Sequence, residues 1–214
     1  MDQEIINSYS VLERFNVSRE TYFDFENYIS LISEKNKKIN LVSQKLLDKN
    51  SFINRHIIDS AQIIDFVDLN NNTTTDLGAG AGFPGIIIAI ILKSMKKDVK
   101  VQLYEKSFHK SNFLREVSKK LNLKTEILQK DIFEIKKIKT GTIMSRAFKP
   151  MPVVLNLVYE NFSSYKNLIL FMGKNGKKIF ENTLKNWEID YTEKKSLSNE
   201  DSFLLNIKNI KKKK

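Results

Sequence analysis

The sequence predicts an α/β fold with a mostly parallel sheet, a C-terminal antiparallel hairpin and an N-terminal helical extension. Three observations lead to this prediction. Helix-like patterns occupy the first 70 residues, strand-like and helix-like segments alternate after them, and no crossover helix separates the last two strand-like segments. For a chain of 214 residues, this indicates a helical extension on residues 1–70 and one compact core on residues 71–214.

The extension contains two predicted helices. Apolar residues recur at mixed three- and four-residue spacing from Asp2 to Phe15 and again from Ser18 to Lys38. Ser18 is a favourable N-cap for the second helix, and Glu20 supplies an acidic side chain in its first turn. The first part of the chain is therefore expected to be helical.

The core begins with a threonine-rich strand that leads into a cluster of glycines. Further strands are predicted at Val99–Glu105, Thr125–Leu128, Thr142–Arg146, Asn167–Met172, Trp187–Lys194 and Ser202–Lys208. Helices are predicted at Pro84–Met95, Ser107–Leu121 and Met151–Phe162. This alternation implies a mostly parallel sheet with helices on both faces and a ligand site at the carboxyl ends of the central strands. The last two strands are joined by the polar segment Lys195–Asp201 and are expected to form a hairpin.

The glycine cluster is the strongest indication of a binding site. Four of the seven glycines lie between Gly78 and Gly85, directly before an unbroken apolar run. Glycine adopts a positive φ easily and lets another molecule approach the backbone closely, and the following helix N-terminus presents unpaired N–H groups. The segment is therefore expected to be a strand, a tight turn and a helix start that together bind a ligand.

Two kinds of nucleotide-like ligand fit the glycine spacing. The pattern Gly80-x-Gly82-x-x-Gly85 matches dinucleotide-binding loops, and the pattern Asp76-x-Gly78-x-Gly80-x-Gly82 matches the loop of S-adenosylmethionine-dependent methyltransferases. A carboxylate at the end of the strand would bind the ammonium group of a methionine moiety, directly or through water, whereas it would repel a pyrophosphate. Asp76 therefore favours S-adenosylmethionine.

Glu105 indicates a nucleoside in either case. It closes the second predicted strand of the core, where a carboxylate accepts hydrogen bonds from ribose hydroxyls. The predicted C-terminal hairpin distinguishes the two alternatives better, because antiparallel strands added to a parallel sheet favour the methyltransferase architecture over the dinucleotide-binding one.

Composition limits the remaining possibilities. The chain has no cysteine, which excludes disulfides, thiolate catalysis and cysteine-based zinc sites, and no metal is expected. The polar start Met1–Glu4 and the lack of a long apolar run lead us to expect a cytoplasmic protein without a membrane partner.

The net charge of +11 suggests a polyanionic partner, because lysines that face phosphates release bound counterions. Nucleotide bias in the genome is the alternative explanation, since the chain is rich in lysine, asparagine and isoleucine. The densest basic run is Lys208–Lys214, which is expected to be a flexible end that adds nonspecific RNA affinity or is simply solvated.

Four motifs, taken together, resemble those of one protein family. They are Asn40–Ser43 (NLVS), Arg55–Ser60 (RHIIDS), Asp76–Gly85 (DLGAGAGFPG) and Ser145–Phe148 (SRAF). In this order they resemble the bacterial small-subunit ribosomal RNA methyltransferase G family. The resemblance implies a class I S-adenosylmethionine-dependent methyltransferase, with a Rossmann-like seven-stranded sheet, that methylates N7 of a guanosine in 16S rRNA.

The resemblance also implies roles for individual residues. The expected cofactor-binding residues are Asp76, Gly78, Gly80, Gly82, Phe83, Glu105, Lys130, Asp131 and Arg146. The candidates for positioning the reactants are Arg146, His56 and Asn40, and the candidates for RNA contacts are Arg55, His56 and Lys174. Two segments depart from the family pattern: Gln129–Asp131 replaces an Arg-x-Glu triplet, and Gly173–Lys174 replaces a Lys-Gly pair.

Several of these residues also have a structural alternative. His56 can be a helix-cap or packing residue, Phe83 can cover the core behind the turn, and Arg146 can form a structural ion pair. Asp59 lies four residues after Arg55, a spacing that predicts an ion pair on a helix surface.

Methylation at N7 needs little chemistry from the protein. N7 of guanine carries an exposed lone pair and no proton, so catalysis is expected to consist of in-line positioning and exclusion of water, without a general base. The expected partner is 16S rRNA or the small ribosomal subunit, not DNA, and the protein is expected to be a monomer. Two alternatives are an NAD-dependent oxidoreductase and a non-catalytic RNA-binding factor for ribosome assembly.

Overall fold

The N-terminal extension is helical where the structure describes it. The computed structural model describes residue 12 and residues 18–43 and 49–213, so the predicted helix from Asp2 to Phe15 lies outside the described residues except at Leu12. The second predicted helix is confirmed as α1, Arg19–Asn36, which begins directly after Ser18. Its apolar side is buried through Tyr22, Phe25, Tyr28 and Ile32.

The other elements follow in chain order. A helical segment over residues 49–61 consists of α2 (Lys49–Phe52), a π-helical stretch (Ile53–Ile58) and α3 (Asp59–Ala61). The later helices are α4 (Gly85–Ser94), α5 (Phe108–Lys120), α6 (Met151–Asn161) and α7 (Gly176–Leu184), with 3₁₀ turns at Ile64–Phe66 and Ile132–Glu134. The strands are β1 (Thr73–Leu77), β2 (Lys100–Tyr104), β3 (Thr125–Leu128), β4 (Ile138–Lys139), β5 (Thr142–Ser145), β6 (Phe162–Ser164), β7 (Asn167–Met172), β8 (Trp187–Lys195) and β9 (Phe203–Lys212).

The main sheet has seven strands in the order β3-β2-β1-β5-β7-β9-β8. The first five strands in this order are parallel to one another, and β9 is antiparallel to both β7 and β8. The predicted α/β fold with a mostly parallel seven-stranded sheet and a C-terminal hairpin is thus confirmed. The chain winds outward from β1 on one side and from β5 on the other, so a ligand crevice is expected where their carboxyl ends diverge.

Helix α4 explains why the extension lies where it does. Its residues from Ile86 to Leu92 are all buried, and a helix that is apolar on every side is stable only when it is covered on every side. The extension supplies part of this cover, because α1 and α4 share one hydrophobic core. Apolar as α4 is, none of the helices in the described part of the chain combines the length and apolarity that crossing a membrane requires.

The basic C-terminal run belongs to the sheet, which corrects the expectation of a flexible end at Lys208–Lys214. Strand β9 continues to Lys212, which pairs with Trp187 at the start of β8. Ile210 is buried in this strand, and the Lys212 ammonium lies 5.6 Å from the centroid of the Trp187 ring. Apolar and aromatic partners across the hairpin therefore hold the lysine stems in place while the charged ends stay in water.

Helix α7 and the small parallel sheet of β4 and β6 were not predicted from the sequence. Strand β4 contains two residues and β6 contains three. Segments this short carry no recognisable hydrophobic period, so only the packed structure reveals them.

Candidate active site

Glycines in a left-handed conformation build the turn after β1. Gly78, Gly80 and Gly82 have φ angles of 67°, 58° and 107°, which residues with a Cβ rarely adopt. The Gly82 N–H donates to the Ala79 carbonyl at 2.7 Å, and the Ala79 N–H donates to the Tyr104 carbonyl at 2.9 Å. The turn is thereby fixed against the end of β2.

Gly78 and Gly80 are the glycines of the turn that border a cavity. A Cβ built on Gly80 meets only the Gly78 carbonyl oxygen, at 3.8 Å, and otherwise faces open space. A Cβ built on Gly78 would lie 2.1 Å from Cδ2 of Phe148. A ligand can therefore approach the backbone at Gly80, whereas the Phe148 ring covers Gly78.

Gly82 faces the protein interior instead. A Cβ built there would lie 2.5 Å from Cγ1 of Ile86 and 2.6 Å from the Tyr28 hydroxyl. That hydroxyl donates a hydrogen bond to the Ala81 carbonyl, and burial raises the pKa of Tyr28 well above its usual value, which keeps the donor protonated. Gly82 is thus required for the contact between the extension and the turn, and its contact with the cofactor stays a prediction.

Asp76 lies beneath the turn. Its Oδ2 accepts a hydrogen bond from the Gly85 N–H at 2.8 Å, and its Oδ1 has no partner among the described residues. A Cβ at Gly85 would lie 2.6 Å from this Oδ2, so the fourth glycine of the cluster makes room for the carboxylate. Burial raises the pKa of Asp76 to about 7, although the Gly85 hydrogen bond opposes the rise. Its binding of an ammonium group stays a prediction.

A cavity of about 610 Å³ opens in front of the turn, within the size range of pockets for drug-sized ligands. This turn cavity brings together most of the predicted site residues, which are His56, Gly78, Gly80, Phe83, Glu105, Lys130, Asp131 and Arg146. Asp76 and Gly82 do not line it. The structure therefore collects in one place side chains that are far apart in the sequence.

Glu105 holds the turn in shape. Its Oε2 accepts a hydrogen bond from the Gly80 N–H at 2.9 Å, and its Oε1 accepts one from the Ser107 N–H at 2.8 Å. The carboxylate is mostly buried and lines the turn cavity at the end of β2. The backbone N–H groups orient it there, and its predicted contact with ribose hydroxyls stays a prediction.

Lys130 and Asp131 line the turn cavity just after β3. The Asp131 Oδ1 caps the following 3₁₀ turn by accepting a hydrogen bond from the Phe133 N–H at 3.1 Å. Its Oδ2 lies 3.8 Å from the Lys106 ammonium. The carboxylate is thus held at the cavity wall by the backbone.

Phe83 and His56 form a stacked pair with ring centroids 4.5 Å apart. Phe83 also contacts the rings of Tyr28 and Phe52, so it covers the core and lines the cavity at the same time. Burial and the neighbouring Arg146 lower the pKa of His56 to about 3, so the imidazole is neutral at physiological pH. Its Nδ1 lies 3.3 Å from Nη1 of Arg146 and must be the acceptor, because a guanidinium only donates.

Arg146 is anchored by the extension. Its Nη2 lies 3.1 Å from Oδ2 of Asp59 and also donates to the Arg55 carbonyl. The predicted ion pair between Arg55 and Asp59 is therefore wrong, since Asp59 binds Arg146 instead. The expected pair assumed an exposed helix surface, whereas the Asp59 side chain is mostly shielded from solvent and faces Arg146 and the loop between β8 and β9.

A second cavity, of about 420 Å³, lies on the other side of Arg146. Its lining combines the extension, the loops after β5 and β7, and the loop between β8 and β9, through Arg55, His56, Asp59, Arg146, Ala147, Phe171, Met172, Gly173, Ser196, Ser198, Asn199, Ser202, Phe203 and Leu204. We call it the hairpin cavity. His56, Arg146 and Ala147 line both cavities and form the partition between them.

Besides Asp76 and Gly82, two candidates for positioning and RNA contacts, Asn40 and Lys174, line neither cavity. Asn40 is exposed and borders a neighbouring depression with Lys37, Lys38 and Lys110. Lys174 is exposed next to Gly173, at the rim of the hairpin cavity. Their roles in positioning and in RNA contacts stay predictions.

Sequence reasoning missed Phe148 and the serines of the β8–β9 loop. Phe148 is the last residue of the SRAF motif, so its place at a strand end was a signal that could have identified it. The loop over residues 196–202 offered no such signal, because its polar composition is that of any hairpin connection.

Comparisons with known proteins agree with this architecture. The family model described as "rRNA small subunit methyltransferase G" matches residues 21–204. The chain is 57% identical over 211 residues to the ribosomal RNA small subunit methyltransferase G of Pelagibacter ubique, covering 99% of each chain. It is 34% identical over 216 residues to the protein of the same name from Bartonella henselae, covering 99% of this chain and 98% of that one.

Solved structures support the fold at much lower sequence identity. M. jannaschii TYW2 in complex with AdoMet matches with a TM-score of 0.52 and 13% identity, covering 83% of this chain and 80% of that chain. A SAM-dependent methyltransferase from Aquifex aeolicus matches with a TM-score of 0.53 and 15% identity, covering 78% of this chain and 95% of that one. From the family model and the relatives, the chain belongs to the rRNA small subunit methyltransferase G family.

Proposed function

We propose that this protein transfers the methyl group of S-adenosylmethionine to N7 of a guanosine in 16S rRNA. The observation that carries the proposal is the pair of adjoining cavities, one built on a glycine turn and the other on polar loop residues, with Arg146 and His56 between them. The names of the similar proteins support rRNA of the small subunit as the substrate class.

The turn cavity fits S-adenosylmethionine. Open space at Gly80 admits a ligand against the backbone, and Glu105 and Asp131 present carboxylates at the ends of β2 and β3, where ribose and adenine groups are commonly bound. Phe83 offers an aromatic face to the same space. When bound, S-adenosylmethionine supplies an activated methyl group on a positively charged sulfonium.

Methylation at N7 requires these residues to position the two reactants and does not require them to transfer a proton. N7 of guanine has a lone pair and no proton, so no base has to remove one. His56, with a pKa of about 3, is neutral and accepts a hydrogen bond from Arg146, which fixes both side chains at the partition. Their contribution is to hold the two reactants in line and to exclude water between them.

Lysines around the cavity mouths would bind the RNA backbone. Lys106, Lys130 and Lys149 line the turn cavity and are exposed, and Lys174 is exposed at the rim of the hairpin cavity. Such lysines add sequence-independent affinity, whereas contacts with the base determine specificity. The rRNA substrate also supports our expectation of a cytoplasmic protein, which we propose acts as a monomer.

The proposal is tested by methyl transfer to a substrate that lacks the modification. Small ribosomal subunits from a strain without the activity are incubated with the protein and S-adenosylmethionine labelled in the methyl group, and the modified base is then mapped. Label at N7 of one guanosine in 16S rRNA is expected. The Gly78→Val variant, which is expected not to bind the cofactor, serves as the negative control.

Two other results would replace the proposal. Thermal stabilisation by NADH but not by S-adenosylhomocysteine would indicate a dinucleotide-dependent oxidoreductase. Salt-sensitive binding of rRNA with no affinity for S-adenosylmethionine would indicate a non-catalytic assembly factor.

A further inference from the structure

We propose that the hairpin cavity binds the acceptor guanine, with N7 towards the partition and the N1 and 2-amino groups towards the loop over residues 196–202. This inference rests on the proposed function and assigns the residues that select guanine. It would make the β8–β9 hairpin a specificity element rather than only the edge of the sheet.

The partition gives the orientation. His56, Arg146 and Ala147 are the lining residues that the two cavities share, and no residue of the hairpin loop lines the turn cavity. The loop is therefore the wall of the hairpin cavity that lies away from the turn cavity. A methyl acceptor must come within about 3–3.5 Å of the methyl group, so its N7 belongs at the partition.

The opposite end of guanine then meets the loop. N7 belongs to the five-membered ring, whereas the N1–H and the 2-amino group lie on the far edge of the six-membered ring and are both donors. The loop presents oxygen acceptors at that position, because Ser202 and Asn199 line the cavity. The Ser202 hydroxyl makes no hydrogen bond within the described part of the chain, so it is available to a ligand.

Aromatic side chains suit the flat faces of the base. Phe171 and Phe203 line the same cavity, and the Arg146 guanidinium lies 5.7 Å from the centroid of the Phe171 ring. An unstacked base is commonly stacked on an aromatic ring or on a guanidinium plane. The cavity thus offers stacking surfaces along its sides and acceptors at its end.

Asp59 fixes the position of the loop over residues 196–202 relative to Arg146. Its Oδ1 accepts hydrogen bonds from the hydroxyls of Ser196 and Ser198 at 3.1 and 2.9 Å, while its Oδ2 binds Arg146. The Leu197 N–H also donates to Oε1 of Gln62 at 3.0 Å. The Asp59 carboxylate therefore bonds both to the loop that would contact the N1 and 2-amino groups and to Arg146 in the partition that would face N7.

Gly173 allows the cavity to be filled without disturbing the protein. It lines the hairpin cavity, a Cβ built on it meets no atom within 4 Å, and its φ is not in the left-handed region. We expect Gly173→Leu to lower the single-turnover rate of methyl transfer at saturating rRNA by about a hundredfold. Its affinities for S-adenosylhomocysteine and for rRNA should stay within about twofold of wild type, since most RNA affinity comes from phosphate contacts. Asn175→Leu places the same apolar side chain in the same loop but outside the cavity, and should keep the wild-type rate.

The two proposals fail in different ways. If the wild-type protein places no methyl group on rRNA, the proposed function is overturned. If the wild-type protein is active and Gly173→Leu is equally fast, or is impaired only in rRNA affinity, the guanine site is overturned.

A substrate change tests which edge of guanine the loop reads. Inosine lacks the 2-amino group, so rRNA with inosine at the acceptor position should be methylated about tenfold more slowly by the wild-type protein. Ser202→Ala should show a clearly smaller penalty for inosine, because it no longer provides the acceptor. Equal penalties in both proteins would overturn the assignment of this edge to the loop, and this comparison stands even if Gly173→Leu does not fold.

Discussion

Arg146, which follows β5, and Asp59, which lies in the extension, form an ion pair of 3.1 Å that is mostly shielded from solvent. Asp59 also accepts hydrogen bonds from the hairpin loop. One carboxylate therefore joins three segments that are distant in the sequence, at the partition between the two cavities.

Arg146→Ala should lower methyl transfer far more than stability. Asp59 keeps the donors Ser196, Ser198 and Gln62 when Arg146 is removed, so the expected loss is about 1–3 kcal/mol of unfolding free energy. The loss of a positioning group at the partition should reduce the transfer rate by about a hundredfold. Single-turnover rates and thermal melts measure the two effects. The matched control is Arg146→Lys, which keeps the positive charge but lacks the planar guanidinium with its paired N–H donors. A large drop in melting temperature at normal specific activity would identify Arg146 as purely structural.

Gly78→Val should abolish binding of S-adenosylmethionine. A Cβ at this position would lie 2.1 Å from Phe148, and φ is +67°, so the side chain both collides and strains the backbone. Calorimetric titration measures the change in affinity. In the double variant Gly78→Val/Phe148→Ala the collision is relieved but the strain remains, so part of the stability should return without the binding. Wild-type cofactor affinity in a folded Gly78→Val protein contradicts the prediction.

Tyr28→Phe should weaken cofactor binding from a distance. The Tyr28 hydroxyl donates to the Ala81 carbonyl in the turn, and its removal leaves a buried carbonyl unpaired, at a cost of about 1–3 kcal/mol in unfolding free energy. Because Ala81 lies beside the cavity, S-adenosylhomocysteine affinity should fall by several-fold. Tyr22→Phe, in the same helix α1 but away from the turn, is the control. A loss of stability without any change in affinity would show that α1 only supports the fold.

Asp76→Asn should change how stability depends on pH. The folded pKa of about 7 is above the ordinary value of 3.8, so folded Asp76 holds its proton more tightly, and the wild type should lose stability as pH rises from 4 to 7. Asparagine keeps an acceptor for the Gly85 N–H but cannot ionise. The melting temperature of the variant minus that of the wild type should therefore be more positive at pH 8 than at pH 5.

S-adenosylmethionine provides a further test of Asp76. If the carboxylate binds the ammonium group, the cofactor favours its ionised form, and the difference between pH 5 and pH 8 should shrink when the cofactor is present. A pH-independent difference between the two proteins, with or without cofactor, would show that burial does not raise the pKa of Asp76.

Removal of the lysines at the cavity mouths should weaken rRNA binding in a salt-dependent way. Replacing Lys149 and Lys174 by alanine should reduce the slope of log affinity against log salt by about 0.7–0.9 for each phosphate that a lysine no longer neutralises. The transfer rate at saturating rRNA should change little. Lys124, which pairs with Asp98, directly precedes β3 and is the control lysine at the amino-terminal ends of the parallel strands, away from the cavities. An unchanged slope would remove these lysines from the RNA interface.

Local pattern was enough to predict most of the fold. Helix α1, the glycine turn and the parallel strands follow from apolar periodicity, from glycine chemistry and from the alternation of strand-like and helix-like segments. The structure confirms the mostly parallel sheet and the C-terminal hairpin. Motif order then identified the family, and the strand ends placed Glu105, Asp131 and Arg146 at one cavity.

Tertiary packing decided which groups face one another. The sequence marks Gly78, Gly80 and Gly82 alike, but only the packed structure shows that Gly82 receives Tyr28 while Gly80 faces open space. It also shows that Asp59 forms its ion pair with Arg146 and not with Arg55. Periodicity reports which side of an element is apolar, whereas partners across the chain depend on how the elements meet. The sequence by itself therefore determined the fold, the family and the cofactor turn, and the tertiary structure decided where a second cavity adjoins that turn.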